Sequence, residues 1–333
     1  MRGMRFYDLS LADLRDLTEM TVTVAASHEA GIFHALRDAP ATPAELSERL
    51  KLDPRAVRIT LAALREMGLL EREGHAYRPS ERCLRELCDP EAETYVGRGL
   101  AHWLSGLRAW TRLGEALRRG GPVEPRRGPR SEEHVARFMS AMAAVPRERV
   151  ARVVALCLDR HPTARRVLDV GGGPGRFARE FTRRGLACTL FDTAEVLAHV
   201  IPAHGLDAVS GLTTVAGDFL DDPLPEGPFD LVLLSNVLHI YGPDTNRRLM
   251  EKVAGVTAPG GMVAVVEFLR KRSRRAARFA VQMLLRSDEG DAYGEDEIVG
   301  WMEGAGFEAA RVDDVDPDRQ IVTALRRHAD PAR

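Results

Sequence analysis

The feature that most constrains the fold is a short apolar run that leads straight into a glycine-rich segment. The run covers Val167 to Val170, the segment covers Gly171 to Gly175, and a predicted helix over 175–184 follows. Glycine lacks a Cβ, so the backbone of such a loop can approach a bound molecule closely. A strand that ends in a glycine loop and continues as a helix predicts an α/β fold with a loop shaped to hold a nucleoside-like cofactor.

Beyond this loop, predicted strands alternate with predicted helices. Strands are predicted at 167–170, 188–191, 213–216, 229–234 and 261–268, and helices at 175–184, 194–204, 244–257, 276–285 and 295–304. Each strand is a nearly continuous apolar run, which predicts a parallel sheet covered on both faces. Two last segments, 308–312 and 321–325, have no helix between them and predict an antiparallel hairpin. The predicted fold class is α/β, with a doubly wound, mostly parallel, seven-stranded Rossmann-like sheet.

The region before the glycine loop predicts a separate, mainly helical domain. Apolar residues recur at helical spacing over 9–37, and helix-start signatures precede 43–50 and 54–67. Two short strands around a glycine turn follow over 69–78, and this order of elements is typical of a winged helix. A segment dense in proline and glycine then marks a linker. We predict an N-terminal domain over 1–120, a linker over 121–131 and a cofactor-binding domain over 132–333.

Composition argues against several broad classes of protein. The 333 residues carry a formal charge of −2, which gives no electrostatic reason to expect nucleic acid or an anionic membrane as a partner. The four cysteines form no C-x-x-C pair and no cluster with histidines at zinc-ligand spacing, so we predict reduced thiols and no metal site. No apolar run approaches the roughly 18 residues that span a bilayer. We predict a cytoplasmic protein.

Polar residues follow the next two predicted strands at the edge where parallel sheets bind ligands. Asp192 comes directly after the second strand, where a carboxylate can accept both hydroxyls of a ribose. Asp218 and Phe219 follow the third strand and offer an acceptor for an adenine amino group and a ring to cover the base. Together with the glycine loop, these residues predict a nucleoside site.

The glycine pattern alone leaves two alternatives open. Gly173 to Ala178 also satisfies the dinucleotide fingerprint with alanine in third place, so an NAD(P)-linked oxidoreductase is a rival interpretation. A glycine turn that serves only helix packing is the other.

The combination of these residues resembles the class I S-adenosylmethionine-dependent methyltransferases. In that family an acidic residue stands two positions before the glycine loop, as Asp169 does. The family also places an acidic residue after the second strand on the ribose, and an acidic and apolar pair after the third strand on the adenine. The resemblance therefore implies S-adenosylmethionine as cofactor, bound by Asp169, Gly171, Gly173, Gly175, Asp192, Asp218, Phe219 and Ser235.

A narrower resemblance comes from the fourth strand. Asp230 to His239 is similar to the corresponding motif of the caffeate/acetylserotonin type of O-methyltransferase and its bacterial relatives. Those proteins carry an N-terminal winged-helix dimerisation domain. The resemblance therefore implies that the protein is a homodimer, with residues 1–120 mediating dimerisation and forming a lid over the substrate. It covers about residues 10–326 and implies methylation of a phenol or enol hydroxyl on a small aromatic or polyketide-like secondary metabolite.

In this family the histidine that matches His239 is the catalytic base. Imidazole can accept a proton near neutral pH, and a base that removes the hydroxyl proton adds typically about 10²- to 10⁴-fold in rate. Glu267, at the end of the fifth strand, matches an acidic partner that orients the histidine. A solvated carboxylate at a strand end is the alternative interpretation of Glu267.

Two departures from the family pattern leave the chemistry partly open. Ile240 and Tyr241 follow the histidine, where plant members have Asp-Trp. A second acidic partner falls by gapless count on Ala292, with Glu289 and Asp291 beside it. Because some relatives of this fold have shifted to hydroxylation or decarboxylation, that chemistry is kept as an alternative.

The acceptor pocket is predicted from apolar side chains before and after the sheet: Trp103, Phe138, Met139, Met142 and Met283. Methionine and aromatic side chains suit a flat apolar acceptor, although methionines at helical spacing also fit plain core.

Two further features have alternative interpretations. A winged helix is commonly a DNA reader, but residues 40–80 carry seven cations against six anions, too balanced for a phosphate-binding face. The basic run 270–278 is either a solvated loop or an attractant for an anionic acceptor.

Overall fold

The computed structural model describes residues 10–89, 92, 95–123 and 131–328. The chain divides into two compact units, one that ends at Arg108 and one that begins at Ala109. Residues 124–130 of the predicted linker lie outside the described part. The predicted domain boundaries stay a prediction, and each unit is described by itself.

The N-terminal unit consists of helices and one hairpin. Its elements are α1 (Leu11–Glu29), α2 (Ile32–Asp38), α3 (Pro43–Leu50), α4 (Pro54–Glu66), β1 (Leu70–Glu73), β2 (Ala76–Pro79), α5 (Glu81–Cys83), a π-helical turn (Leu84–Cys88) and α6 (Gly97–Trp110), which ends just beyond the division. The hairpin of β1 and β2 is antiparallel. Helix, turn, helix and hairpin occur in the order that the sequence predicts.

Local signals explain where α3 and α4 begin. The Glu45 N–H donates to Thr42 Oγ1 at 3.3 Å, and the Thr42 N–H donates to the Glu45 carboxylate at 2.8 Å. This reciprocal capping box satisfies two backbone donors at the start of α3. At the start of α4, the Asp53 carboxylate accepts from the Ala56 N–H at 2.8 Å. On the inner face of α4, Leu61 and Leu64 are fully buried, so caps and apolar stripe specify the same helices.

The C-terminal unit continues with alternating elements. They are α7 (Leu113–Arg119), α8 (Glu132–Ala143), α9 (Arg147–Arg160), β3 (Arg166–Val170), α10 (Arg176–Arg183), β4 (Ala187–Asp192), α11 (Ala194–His204), β5 (Leu212–Ala216), β6 (Phe229–Ser235), a 3₁₀ turn (Leu238–Ile240), α12 (Pro243–Val256), β7 (Thr257–Glu267), α13 (Ala276–Leu284), α14 (Glu295–Gly304), β8 (Phe307–Asp316) and β9 (Arg319–Arg326). The sequence prediction omits α9.

The sheet of this unit has seven strands within the described residues, in the order β5-β4-β3-β6-β7-β9-β8. Strands β3 to β7 run parallel, and β9 pairs antiparallel with both β7 and β8. The predicted fold class is confirmed. The strand order reverses between β3 and β6, because β4 and β5 lie on one side of β3 and β6 and β7 on the other. In open α/β sheets this is the place where ligands bind, at the carboxyl ends of the strands.

Alternate residues of the central strands pack into two different cores. In β6, Leu231 and Leu233 belong to the cluster that includes side chains of α8 to α11. Their neighbours Val232 and Leu234 belong to the cluster that includes side chains of α12 and α14. All four are fully buried, which explains why the central strands are continuous apolar runs.

Two predictions from composition concern the cysteines and membrane-spanning helices. The cysteines Cys83, Cys88, Cys157 and Cys188 are free thiols, and all four are buried. Within the described residues, no helix combines the length and the apolar character that crossing a bilayer requires.

Candidate active site

The glycine loop joins β3 to α10 in a conformation that side chains rarely adopt. Gly171 has φ 67° and Gly173 has φ 49°. A Cβ on Gly171 would lie 3.1 Å from Val237 Cγ2, so a side chain there would crowd the second residue after β6. The Gly173 N–H donates to Asp192 Oδ2 at 2.8 Å. The loop therefore forms a shallow cradle between the ends of β3 and β6.

Asp192 ends β4 and ties the glycine loop to the neighbouring strand. Its Oδ2 accepts from the Gly173 N–H, and its Oδ1 accepts from the Thr193 N–H at 2.8 Å. Each carboxylate oxygen can accept more than one hydrogen bond. The position predicted to bind ribose thus holds a fixed carboxylate at the cradle.

Asp169 lies beneath the loop as an unsatisfied buried carboxyl. It is 1 % exposed, and neither side-chain oxygen makes a hydrogen bond to a described residue. Burial, together with the nearby negative charge of Asp192, raises the pKa of Asp169 to about 7, although the backbone N–H of Ala178 opposes part of this rise. A buried polar group without a partner costs free energy, so the residue is retained against a stability penalty.

The residues after β5 form the other wall of the cradle. Asp218 Oδ1 accepts from the Leu220 N–H at 2.9 Å, which closes a tight turn. Phe219 Cε1 lies 3.7 Å from where a Cβ of Gly171 would be, and the Phe219 ring meets Tyr241 edge-on with centroids 5.6 Å apart. The Phe219 ring therefore lies against the backbone of the glycine loop.

Ser235 closes β6 at the same edge of the sheet. Its Oγ accepts from Asn236 Nδ2 at 3.1 Å, and Asn236 has φ 59°. The chain turns sharply there, so the next residues pass close to the glycine loop.

His239 and Glu267 form a buried hydrogen-bonded pair. His239 lies on the 3₁₀ turn after β6, and Glu267 ends the adjacent strand β7. The Nδ1 of His239 lies 2.7 Å from Glu267 Oε2, and its backbone N–H donates to Oε1 at 3.4 Å. The two residues are 8 % and 4 % exposed. An ionised carboxylate can only accept, so the imidazole proton sits on Nδ1 and Nε2 keeps a free lone pair.

Residues that the sequence prediction omitted hold this histidine in place. Phe279 on α13 meets the His239 ring edge-on with centroids 4.7 Å apart. Asn246 Nδ2 on α12 donates to the carbonyls of Leu238 and Tyr241 at 3.0 and 3.1 Å, and Asn246 is fully buried. The sequence gives only a weak signal for Asn246, because asparagine is common near the start of a helix and its burial cannot be read from the sequence.

The other two carboxylates that the sequence left open lie elsewhere. Within the described residues, neither Glu289 nor Asp291 makes a hydrogen bond or ion pair with His239. Asp291 pairs with Arg270 at 3.7 Å, and Glu289 is exposed. Ala292, the position reached by gapless count, is buried in a small apolar cluster. Glu267 is the acid that contacts the histidine in the described part of the chain.

The predicted acceptor residues are only partly brought together. Met139 is buried, and a Cβ on Gly173 would lie 3.5 Å from its Sδ. Phe138 and Met142 pack against the same core cluster as Met139. Met283 is buried on α13, whereas Trp103 is a half-buried residue of the N-terminal unit.

Three of the six cations in the basic run over 270–278 form ion pairs within the described residues. Arg270 pairs with Glu297, and Arg272 pairs with Glu295 at 3.0 Å. Arg275 lies 3.8 Å from a carboxylate oxygen of Asp318. These contacts favour the structural interpretation of the run over capture of an anionic acceptor.

The charges at the glycine loop separate the two cofactor interpretations. A dinucleotide site places a pyrophosphate at the helix N-terminus that follows such a loop. Here the carboxyls of Asp169 and Asp192 both lie at the loop, close enough for one to raise the pKa of the other. An acidic residue after the second strand, as Asp192 is, belongs to both kinds of site, but the second carboxyl at Asp169 opposes a bound pyrophosphate and suits a ligand that carries positive charge.

Comparisons with known proteins agree with this geometry. The family model for the O-methyltransferase domain matches residues 125–308. The chain is 33 % identical to the tetracenomycin polyketide synthesis 8-O-methyl transferase TcmO of Streptomyces glaucescens, over 89 % of this chain and 92 % of that one. It is 31 % identical to a 3-hydroxy-5-methyl-1-naphthoate 3-O-methyltransferase of Streptomyces sahachiroi, over 90 % of both chains.

A solved structure shows the same fold. Human N-acetylserotonin methyltransferase, solved in complex with S-adenosylmethionine, superposes with a TM-score of 0.81 at 24 % identity, over 98 % of this chain and 99 % of that one. The matches support a methyltransferase and give no support to the oxidoreductase, the hydroxylating or decarboxylating relative or the DNA-binding regulator. The chain belongs to the O-methyltransferase family.

Proposed function

We propose that this enzyme transfers the methyl group of S-adenosylmethionine to a phenol or enol hydroxyl of a small aromatic or polyketide-like secondary metabolite, with His239 as general base. The observation that carries this proposal is the buried pair of His239 and Glu267 beside the cradle of the glycine loop. The pair supplies a base with a defined tautomer at the edge of the sheet where the cofactor residues meet.

The cradle fits the cofactor. Glycine at positions 171 and 173 leaves the loop backbone without side chains that would separate it from a ligand, and the unpartnered carboxyl of Asp169 suits a cationic one. Asp192 would hold the ribose, and Asp218 and Phe219 the adenine. The full set of proposed cofactor residues is Asp169, Gly171, Gly173, Gly175, Asp192, Asp218, Phe219 and Ser235. When bound, S-adenosylmethionine supplies a methyl group on a sulfonium, which an oxygen nucleophile placed in line displaces.

His239 prepares the acceptor oxygen. With its proton on Nδ1, the ring accepts the hydroxyl proton at Nε2, so the oxygen gains negative charge as it reacts. The imidazolium that forms then faces the carboxylate of Glu267, which stabilises its charge and holds the ring in one orientation. Phe279 packs against the ring and keeps water from the pair.

The acceptor class follows from the apolar side chains and from the relatives. TcmO is named for an 8-O-methylation in tetracenomycin polyketide synthesis, and the second relative for methylation of a hydroxynaphthoate. Met139 beside the glycine loop offers a polarizable apolar surface that suits such flat rings. Phe138, Met142, Met283 and Trp103 stay predicted members of this pocket.

We also propose that residues 1–120 form the dimerisation domain of a cytoplasmic homodimer. Support comes from α1, where the apolar side chains of Leu11, Leu17 and Met20 are 85 %, 37 % and 42 % exposed. Unpartnered apolar side chains on one helix are typical of an association surface. Light scattering that gave the mass of one chain at micromolar concentration would contradict the dimer.

Isothermal titration with S-adenosylhomocysteine and, separately, NADH tests the enzyme class before the acceptor is known. We expect saturable binding of S-adenosylhomocysteine with a micromolar Kd and no measurable heat with NADH. The second step offers hydroxylated naphthoates with S-adenosylmethionine and detects a product heavier by one methylene by mass spectrometry. Binding of NADH in place of S-adenosylhomocysteine would overturn the proposal.

A further inference from the structure

Lys252 makes an unusual set of contacts behind the cofactor residues. It lies on α12, and its ammonium donates to the carbonyls of Phe219 at 3.0 Å, Leu220 at 2.7 Å and Asp222 at 3.0 Å. An ammonium has three protons, so these three acceptors use all of them. Among the described residues, Lys252 forms no ion pair with a carboxylate. All the hydrogen bonds of the ammonium therefore go to backbone carbonyls of a single loop.

That loop, residues 217–222, has few other hydrogen bonds to the rest of the fold, and the Phe219 ring adds packing against Tyr241. Inside the loop, the Asp218 N–H donates to Asp222 Oδ2 and the Leu220 N–H to Asp218 Oδ1. The Gly217 N–H donates to the Asp192 carbonyl at the end of β4. These bonds set its local shape and anchor its first residue. The bonds from Lys252 fix the remainder against α12.

The same helix also holds the turn that carries the histidine. Asn246, near the start of α12, binds the carbonyls on either side of His239, and Lys252 lies further along the helix. One rigid helix thus contacts both the loop of Phe219 and the turn of His239. Charge-assisted hydrogen bonds are stronger than neutral ones, so a lysine at this position holds its loop more firmly than an amide side chain would.

We propose that Lys252 is a positioning residue that presets the 217–222 loop for the nucleoside end of the cofactor. The inference rests on the proposed function, which assigns Asp218 and Phe219 to the adenine. Without the ammonium, the loop has to be ordered when the cofactor binds, and that cost weakens affinity. The bound complex has the same contacts to the reacting atoms, so turnover at saturating cofactor is preserved.

The test compares Lys252→Met, which keeps the apolar stem, with Lys252→Arg, which restores charge and donors. Arg248→Met is the matched control, because Arg248 is an exposed cation on the same helix whose hydrogen bond, to Thr245, stays within that helix. We expect Lys252→Met to weaken the Kd of S-adenosylhomocysteine roughly tenfold to a hundredfold. The KM for S-adenosylmethionine should rise in parallel. Acceptor KM and kcat should stay within about twofold, and arginine should recover most of the loss.

A second readout does not depend on any ligand. Amide hydrogen exchange in residues 217–222 should be faster in unliganded Lys252→Met than in the wild type, with α12 unchanged. Unchanged exchange and unchanged Kd would overturn the proposal, and so would a loss of kcat at an unchanged Kd. If Lys252→Met fails to fold, Lys252→Gln replaces it with the same expectations. Failure of the wild type to bind S-adenosylhomocysteine would count against the proposed function, whereas the exchange measurement would still judge the loop.

Discussion

Two buried carboxyls at this site differ in their hydrogen bonding. Glu267 accepts two hydrogen bonds from His239, one from the ring and one from the backbone. Asp169 is as deeply buried, but neither of its oxygens has a hydrogen-bond partner among the described residues, and its pKa is raised to about 7. The base half of the site is therefore complete within the protein itself. The cofactor half carries a cost that a cationic ligand can offset.

This difference shows which part of the site is preorganised and which part depends on a ligand. A catalytic pair is useful when its geometry is set before the reaction, because reorganisation during the reaction is slow and costly. A binding residue can be unfavourable in the free protein, since ligand binding restores the balance. We therefore expect substitutions in the base half to reduce turnover, and substitutions in the cofactor half to change stability and affinity.

The largest effect on turnover is expected for His239→Ala. Without the base, the hydroxyl proton has to leave to water, so kcat should fall about 10²- to 10⁴-fold. The Kd of S-adenosylhomocysteine should stay within about twofold, because the ring does not belong to the cradle. Single-turnover kinetics and calorimetry measure the two quantities. Loss of cofactor binding in a folded variant would show that His239 has been assigned to the wrong half.

A smaller loss is expected for Glu267→Gln. The amide keeps the size of the side chain but removes the charge that stabilises the imidazolium, so kcat should fall about tenfold to a hundredfold. Glu289→Gln is the matched control, because Glu289 is an exposed acid with no bond to His239 among the described residues. Steady-state kinetics at saturating cofactor compare the two variants. Equal losses in both would remove the distinction between them.

The smallest effect on turnover is expected for Asp169→Asn, which should instead change stability with pH. The pKa of Asp169 is raised from 3.8 to about 7, so the folded state binds the proton more tightly than the unfolded state. The penalty is absent below pH 4, grows as pH rises, and reaches at most about 4 kcal/mol above pH 7. The variant should therefore be more stable than the wild type at pH 8 and nearly equal to it at pH 4.

Urea unfolding at both pH values, with exposed Asp207→Asn as control, measures this difference. The same variant should bind S-adenosylmethionine, which carries the positive sulfonium, roughly tenfold more weakly, because the side chain beneath the glycine loop can no longer be negatively charged. A stability difference that does not change with pH would contradict the assignment of the raised pKa to Asp169. Tighter cofactor binding by the variant would contradict the comparison of the two carboxyls.

Much of the fold could be predicted because its signals are local. The capping box of Thr42 and Glu45 joins residues three apart in the same turn, so spacing alone predicts it. Continuous apolar runs predicted the central strands, since a strand buried on both faces needs apolar residues at every position. The prediction from sequence omitted α9, which begins after only a short connection from α8. When the connection is short, apolar periodicity alone does not show where one helix ends and the next begins.

The candidate site also contains residues with a local sequence signal and residues without one. Gly171, Asp192 and Asp218 could be proposed from sequence because each lies within two residues of the end of a predicted strand, and parallel strands end at one edge. Phe279 and Lys252 had no such signal. Phe279 reaches the histidine from a helix 40 residues further along the chain, and Lys252 reaches its loop from 30 residues or more away. Their contacts depend on how helices pack on the sheet.

Local sequence was enough to predict the alternation of strands and helices from β3 onward, the glycine loop and the acidic residues at the strand ends. These follow from neighbouring residues, whose geometry the chain constrains directly. Three findings needed the tertiary structure: Glu267 contacts His239, the Asp169 oxygens are buried without a close hydrogen-bond partner among the described residues, and Lys252 binds the 217–222 loop. Such contacts depend on strand register and helix packing, and burial then sets how much each hydrogen bond or charge is worth.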